Sequence, residues 1–187
     1  MSEPMPHDVS VPGEIRTFAG HLLDVFDPDP AHIRLGDIAR GLAMRPRYGA
    51  QLPFWFSVAE HSCLVLDVFR RRYPRATVKD QLAALLHDAP EAYIGDMPKP
   101  VKMKLPDLCE LEATLSRAIF EKYSIVAIPE TVDRIDKMIR HAERFYLYRR
   151  RIPDEAPEWT RSVVLEFWSW ERAEAEFLRR FVELRGF

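Results

Sequence analysis

Cysteine is scarce in this sequence, and its scarcity limits the kinds of site that the chain can build. Cys63 and Cys109 are the only two cysteines in 187 residues, and neither lies in a Cys-x-x-Cys motif or at a Cys/His ligand spacing. A thiolate metal site and a disulfide-stapled fold are therefore excluded. We expect both thiols to be reduced.

A strong excess of charge of one sign is also missing. The 27 lysine and arginine residues nearly balance the 29 aspartate and glutamate residues, and the two signs are mixed along the chain. No broad cationic face for a nucleic-acid backbone is expected, so nucleic acid is not an expected partner. A small anionic molecule remains possible, because a few local cations suffice to bind it.

Long apolar runs do not occur either. No window approaches the roughly 18 uninterrupted apolar residues of a membrane span, and the start, MSEPMPHDVSVPGEI, lacks the cationic and apolar parts of a signal peptide. No membrane partner is expected, and a cytoplasmic location is expected by default. With 47% apolar and 30% charged residues, the chain should fold alone, as a single domain over residues 1–187.

The periodicity of the apolar residues predicts an all-α helical bundle with a short N-terminal arm. The arm covers residues 1–30, is rich in proline and aspartate, and contains two segments, 15–18 and 22–26, that could form a hairpin. A core follows over about residues 31–150 and a C-terminal packing helix over about 161–184. The expected helices cover residues 37–44, 57–73, 77–88, 107–123, 129–145 and 161–184.

Two helix starts carry capping signals. Ser57–Val58–Ala59–Glu60 matches the capping box, in which the serine accepts from one backbone amide and the glutamate reaches back to another. Asp107–Leu108–Cys109–Glu110 repeats this logic. We therefore expect helices to begin at Ser57 and near Asp107.

Metal-competent side chains occur at inward-tending positions of three predicted helices. His61 lies on the apolar stripe of its helix, His87–Asp88 stand where Pro90 must end or kink the next helix, and Asp136 borders an apolar stripe. Any one of these residues alone is more often structural than functional, so the evidence is the set. Imidazole and carboxylate ligands suit one divalent ion such as Mn, Fe, Co, Ni or Zn.

The order His61, His87–Asp88, Asp136 resembles the H…HD…D signature of the HD phosphohydrolase superfamily. The flanking words SVAEHS, LLHDAPEAYIGDMPKPVK and RIDKMIRHAE are similar to those of bacterial HD-domain 5′-deoxynucleotidases and of related small bacterial and phage phosphohydrolases, among them a viral enzyme that hydrolyses dATP. The upstream words GDIARGL and RYG are closer to the small phosphohydrolases. The match covers about residues 15–150.

The resemblance implies a role for each matching position. It assigns Glu91 and Asp96 as catalytic carboxylates beside the metal, and Arg47–Tyr48 as the nearest match to an Arg–Trp pair that grips phosphate and selects the deoxy sugar. Tyrosine in place of tryptophan, one residue closer to the first ligand, leaves the sugar preference open. The implied metal ligands are His61, His87, Asp88 and Asp136.

Other charged residues near these motifs have either a functional or an ordinary structural interpretation. Lys102, which ends the MPKPVK loop, is a further candidate for touching phosphate. Asp133 is expected to be a solvated neighbour of the ligand, and His141 and Glu143 to form an exposed helix face. One metal is expected rather than two, because the dinuclear branch of the superfamily places extra histidines between the HD pair and the last aspartate, and residues 89–135 contain none.

The resemblance implies hydrolysis of a nucleotide phosphoester. The expected substrate is a 2′-deoxyribonucleoside 5′-monophosphate, which would give nucleoside and phosphate. One alternative is a deoxynucleoside triphosphate cleaved to release triphosphate, and another is an HD domain that senses a nucleotide without cleaving it. The aromatic C-terminal helix, with Trp168 and Trp170, is expected to pack within the chain or in a homo-oligomer.

Overall fold

The structure, a computed structural model, describes residues 11–186, and it confirms the all-α fold with a short hairpin. Strands β1 (Glu14–Arg16) and β2 (Leu22–Asp24) pair antiparallel, with Ile15 opposite Leu23. The predicted hairpin is therefore confirmed. The first ten residues of the predicted N-terminal arm lie outside the described residues.

Helices make up most of the described chain. None of those within residues 11–186 is long and apolar enough to cross a bilayer. Neither cysteine forms a disulfide. Both are free thiols, with Cys63 buried and Cys109 exposed. The helices are α1 (Leu35–Ala43), α2 (Val58–Arg72), α3 (Val78–Leu86), α4 (Glu91–Ile94), α5 (Lys99–Lys102), α6 (Pro106–Tyr123), α7 (Glu130–Tyr148) and α8 (Trp170–Arg185).

Helix α2 is the centre of the bundle. It packs against α1, α3, α7 and α8, while α8 crosses α1, α2 and α3. Because neighbours surround α2, its first three turns are almost completely buried, including the polar residues Glu60, His61 and Ser62. A polar side chain in that position needs a partner, which is how the fold brings His61 to a site.

The start of α2 confirms only half of the predicted capping box. The Ser57 hydroxyl accepts the Glu60 amide at 3.1 Å, as expected. The Glu60 carboxylate does not reach back to Ser57 but accepts the backbone amides of Glu166, Phe167 and Trp168 at 2.8–3.0 Å. Glu60 thus holds the C-terminal segment against the start of α2.

One other predicted helix start is wrong, and a second is confirmed without its predicted cap. The last helix begins at Trp170, with Ser169 as its N-cap, and not near residue 161, because residues 163–169 leave helical geometry to meet Glu60. Trp168, buried ahead of this helix, is therefore not part of it. Helix α6 begins at Pro106, with no side-chain cap, so Asp107 lies within its first turn and does not cap it.

Candidate metal centre

Three side chains bring ligand atoms together at the bundle centre. The Nε2 atoms of His61 and His87 lie 3.3 Å apart, and the Oδ2 atom of Asp88 is 3.5 Å from the first and 3.2 Å from the second. These three residues form a cluster that could hold a metal ion. We call them the cation cluster.

Local sequence explains why His87 and Asp88 are presented at a helix end. Helix α3 closes at Leu86, His87 is its C-cap, and Pro90, which has no amide to donate, is followed at once by α4. Both side chains are only partly buried, whereas His61 is completely buried on α2. The cluster therefore has a buried wall and an accessible side.

Asp136 on α7 adds a fourth oxygen beside the cluster. Its Oδ1 atom lies 3.3 Å from Nε2 of His61, and its Oδ2 atom pairs with Arg140 at 2.9 Å. Asp133, three residues earlier on α7, is exposed. The structure thus brings Asp136 to the cation cluster and leaves Asp133 in solvent, as the sequence predicted.

The donor set fits a divalent cation. His61 directs Nδ1 at the Glu143 carboxylate, at 2.6 Å, and His87 directs Nδ1 at the Ala84 carbonyl, at 3.0 Å. With those nitrogens carrying protons, both Nε2 lone pairs face the carboxylate oxygens. Two ligands each about 2.1 Å from one ion lie about 3.0–3.4 Å apart, close to the separations of 3.2–3.5 Å found here.

The electrostatics of the site also call for a cation. Three carboxylates, those of Asp88, Asp136 and Glu143, lie within ion-pair distance of His61 and meet two guanidiniums, Arg47 and Arg140. Negative charge is therefore in excess around His61 when both imidazoles are neutral. Excess negative charge in a partly buried place costs free energy that a divalent ion would offset.

The pKa values of His61, Asp88 and Asp136 reflect this crowding. Burial and the Arg47 charge lower the pKa of His61, but Glu143 and Asp136 outweigh them and raise it to about 9. Burial raises the pKa of Asp88, yet the imidazoles and Arg47 hold it well below the usual range. Burial also opposes ionisation of Asp136, and hydrogen bonding to His61 lowers its pKa. The two aspartates are therefore ionised and ready to bind a cation.

Glu91 and Asp96 lie next to the cation cluster, and their pKa values are raised, not lowered as those of Asp88 and Asp136 are. Burial and the charges of Asp88 and Asp96 raise the pKa of Glu91, whose Oε2 atom is buried without a hydrogen-bond partner among the described residues. Burial raises the pKa of Asp96, although it accepts the Tyr48 amide at 2.7 Å. Both carboxyl groups hold a proton more readily than usual and can exchange one with a bound molecule.

Arg47 precedes a left-handed turn at the rim of the site, and Tyr48 is the first residue of that turn. Tyr48, Gly49 and Ala50 all have positive φ, at 57°, 59° and 63°. The buried Arg47 guanidinium pairs with Asp88 at 3.4 Å and with Glu143 at 3.3 Å, while its Nε atom has no partner in the described chain. An unsatisfied buried donor beside a pocket indicates a place for an acceptor.

A pocket of about 400 Å³ opens on the accessible side of the cation cluster. Its volume lies in the range of small-molecule sites, roughly 300–1,000 Å³. Lys102 lies on its wall, as the sequence suggested, but forms an ion pair with Glu112. Cations on its wall that the sequence analysis did not single out are Lys99, Arg140 and Arg144.

The prediction for Glu143 was wrong. Its side chain is completely buried and receives Nδ1 of His61 and the Tyr48 hydroxyl, each at 2.6 Å, together with Arg47. Burial raises its pKa, but Arg47 and His61 outweigh burial and lower it to about 2. Glu143 follows Asp136 by seven residues, two helical turns, and this same-face spacing is the signal that could have revealed it.

Comparison with known proteins gives relatives of undescribed activity. An uncharacterized protein of Rhodobacter capsulatus is 40% identical over 126 residues, which cover 65% of this chain and 64% of the relative. The uncharacterized protein YfdR of Escherichia coli is 32% identical over 117 residues, covering 63% and 62%. The matched segments thus span less than two thirds of either relative's length. No protein-family model matches the chain.

Proposed function

We propose that this protein is a metal-dependent phosphohydrolase that cleaves the phosphoester of a 2′-deoxyribonucleoside 5′-monophosphate. The observation that carries the proposal is the meeting of His61, His87, Asp88 and Asp136 beside a pocket. That pocket is lined by Asp88 and Asp136 and by the buried Arg47. The four residues come from three separate parts of the chain. They reproduce the order that resembles the HD phosphohydrolases.

The donor chemistry supports a single transition-metal ion as the cofactor. Two imidazole nitrogens and two carboxylate oxygens suit manganese, iron, cobalt, nickel or zinc, and they disfavour ions that prefer thiolate ligands. When bound, such an ion would polarise a phosphoryl oxygen and lower the pKa of water toward about 7. The cation cluster and Asp136 would hold it.

Arg47 suits the binding of a phosphoryl group. Its guanidinium is fixed from two sides by Asp88 and Glu143, which leaves the unpartnered Nε–H for an acceptor. A guanidinium presents its N–H groups in a fork that matches two phosphoryl oxygens. We therefore assign Arg47 to binding and orienting the substrate anion.

Glu91 and Asp96 suit the handling of protons. A buried carboxyl group whose pKa is raised accepts a proton from an attacking water and keeps it until the leaving group departs. Glu91, which lines the pocket next to the cation cluster, has this environment. Asp96, also lining the pocket, is placed to donate a proton to the leaving alkoxide.

A deoxynucleoside triphosphate is a second candidate substrate, and one observation favours it. Lys99, Arg140 and Arg144 lie on the pocket wall beyond the cluster, with Asp136, Arg140 and Arg144 at successive four-residue steps along α7. Such a row could neutralise the additional phosphates of a longer chain. In that case water would attack the α-phosphate and triphosphate would leave.

An assay of the stripped and reloaded protein tests the proposal. Chelator-treated protein is supplied with manganese, cobalt, zinc or magnesium and offered a panel of nucleoside mono- and triphosphates, with phosphate and triphosphate release measured separately. We expect turnover only with added metal, and its loss in Asp88→Asn. An Asp88→Asn protein that kept full turnover would contradict the ligand assignment. Tight nucleotide binding without turnover under every ion would favour a sensing domain instead.

The row of cations on α7 allows the two substrates to be separated by mutation. If a triphosphate is cleaved, Arg144→Gln should raise KM for the triphosphate and leave the monophosphate KM unchanged. Arg134→Gln is the matched control, because Arg134 lies on the same helix, is exposed and pairs only with Glu130 in the structure. If Arg144→Gln and Arg134→Gln have the same KM for the triphosphate, the monophosphate is favoured as the substrate.

A further inference from the structure

We propose that Glu143 is a positioning residue through which one buried carboxylate serves both cation binding and anion binding at this site. The inference rests on the proposed function, which supplies the cation and the phosphate. Each oxygen of Glu143 faces a different part of the site. Oε1 meets His61, and Oε2 meets Tyr48 and Arg47.

The first oxygen fixes the orientation of a cluster imidazole. Nδ1 of His61 donates to Oε1 of Glu143 at 2.6 Å, while Nε2 of the same ring faces Oδ1 of Asp136 at 3.3 Å. Two carboxylates of one helix, two turns apart, therefore hold opposite edges of the ring. A proton kept on Nδ1 leaves the Nε2 lone pair for a cation.

The second oxygen holds the substrate-binding rim. Oε2 accepts the Tyr48 hydroxyl at 2.6 Å and lies 3.3 Å from Nη2 of Arg47. The other terminal nitrogen of Arg47 lies 3.4 Å from Oδ2 of Asp88, within the cation cluster. Without Glu143, the guanidinium would keep one of its two ion pairs, that with Asp88, and would be drawn toward the cluster instead of the pocket.

The complete burial of Glu143 makes this double contact strong. The side chain has no exposure to solvent, so its charge is stabilised only by these three donors. Removing a partner from a buried charge costs more than removing one at the surface. A change at Glu143 should therefore affect both the cation cluster and the rim formed by Arg47 and Tyr48. Glu143 itself does not line the pocket.

The test compares two binding reactions in Glu143→Gln. Manganese affinity is measured by titration calorimetry on the metal-free protein, and inorganic phosphate affinity on the manganese-saturated protein. We expect the manganese Kd to rise about 10–100-fold and the phosphate Kd about tenfold. Glu130→Gln, a change at an exposed carboxylate of the same helix, should alter neither. A variant that loses manganese affinity but binds phosphate as the wild type does would overturn the shared role, as would one unchanged in both.

A second variant keeps the proposal testable if Glu143→Gln does not fold. Tyr48→Phe removes one donor to Glu143 while leaving the Tyr48 amide on Asp96 and every cluster residue in place. We expect its manganese Kd to rise about threefold or more, because Glu143 then holds His61 less firmly. An unchanged manganese Kd would overturn the inference.

Turnover by the wild-type protein separates failure of this inference from failure of the proposed function. If the wild type cleaves a nucleotide with manganese while Glu143→Gln binds both probes normally, only the inference falls. If the wild type binds manganese and phosphate but cleaves no nucleotide, the proposed function falls. The two binding comparisons would then still decide the role of Glu143.

Discussion

A β-carbon on Gly41 would lie 2.7 Å from the carbonyl oxygen of Ala92, closer than such atoms can approach. Gly41 is in α1, and Ala92 is the second residue of the short helix α4. The missing side chain therefore lets α4 lie directly on α1. Glu91, the proposed proton acceptor, is the residue before Ala92, so this close approach sets its position.

Gly41→Ala should consequently displace α4 and reduce both stability and activity. The methyl group would meet backbone atoms, which cannot rotate away as a side chain can. We expect a loss of about 1–3 kcal/mol in the free energy of unfolding, measured by denaturant titration, and a reduced kcat. Gly36→Ala is the control, because nothing lies within 4 Å of its added carbon on the same helix. A Gly41→Ala protein as stable and active as Gly36→Ala would contradict this packing argument.

Metal affinity should depend on pH through His61. The pKa of His61 in the metal-free protein is raised to about 9, so below that pH the ring carries a proton that a cation must displace. We expect manganese affinity to rise about tenfold per pH unit between about pH 7 and 9 and to level off above it. Calorimetry in buffers of different ionisation enthalpy should show proton release on binding. Binding without proton release would show that His61 is already neutral.

The same pKa predicts how the metal-free protein responds to alkali. The folded-state pKa of His61 lies above its ordinary value of 6.5, so the charged form stabilises the folded state. That contribution is fully present below about pH 6.5 and is lost as the pH rises through about 9. We expect Tm of the stripped protein to fall over this window. Saturating metal should reduce the fall, because it takes the place of the proton.

Asp136 should contribute to cation binding while Asp133 should not. Of these two aspartates only Asp136 approaches Nε2 of His61, and Asp133 is exposed on the same helix. We expect Asp136→Asn to weaken manganese binding by about tenfold or more, and Asp133→Asn to leave it unchanged. The affinities can be measured by competition with a chelating dye. Equal affinities in the two variants would remove Asp136 from the ligand set.

Glu60→Gln should destabilise the fold without a direct effect on the pocket beside the cation cluster. The carboxylate accepts three backbone amides of residues 166–168, and an amide side chain would turn its NH₂ group toward one of those donors. We expect a loss of about 1–3 kcal/mol in the free energy of unfolding. Glu171→Gln, at an exposed position in the first turn of α8, should show no such loss. An unchanged stability in Glu60→Gln would mean that other contacts hold the segment.

The cation cluster was predictable because its residues belong to short sequence motifs with distinctive neighbouring residues. His87, Asp88 and Pro90 lie within four consecutive residues, and His61 follows a helix-capping serine whose role is local. Such features depend on neighbouring residues in the sequence, so contacts with distant residues do not alter them. They were sufficient to name the three residues that the structure brings together.

Glu143 and Glu60 were misjudged because their partners are distant in sequence. Glu143 meets His61, which is 82 positions away, and Glu60 meets Trp168, 108 positions away. A glutamate in a run of charged residues is usually solvated, and nothing local distinguishes one that will be buried. The predicted start of the C-terminal helix is too early for the same reason. The apolar residues before Trp170 have helical spacing, but the distant Glu60 carboxylate accepts the backbone amides of residues 166–168.

The left-handed turn at Tyr48–Ala50 has a consequence for the order in which the site is assembled. Tyr48 and Ala50 each adopt a conformation that disfavours a β-carbon, by about 1–2 kcal/mol per residue. The segment would relax to ordinary geometry unless Glu143 and Asp96 held Tyr48 from outside. During folding, the rim proposed to bind the anion should therefore form late, after the helices that carry its anchors have already docked.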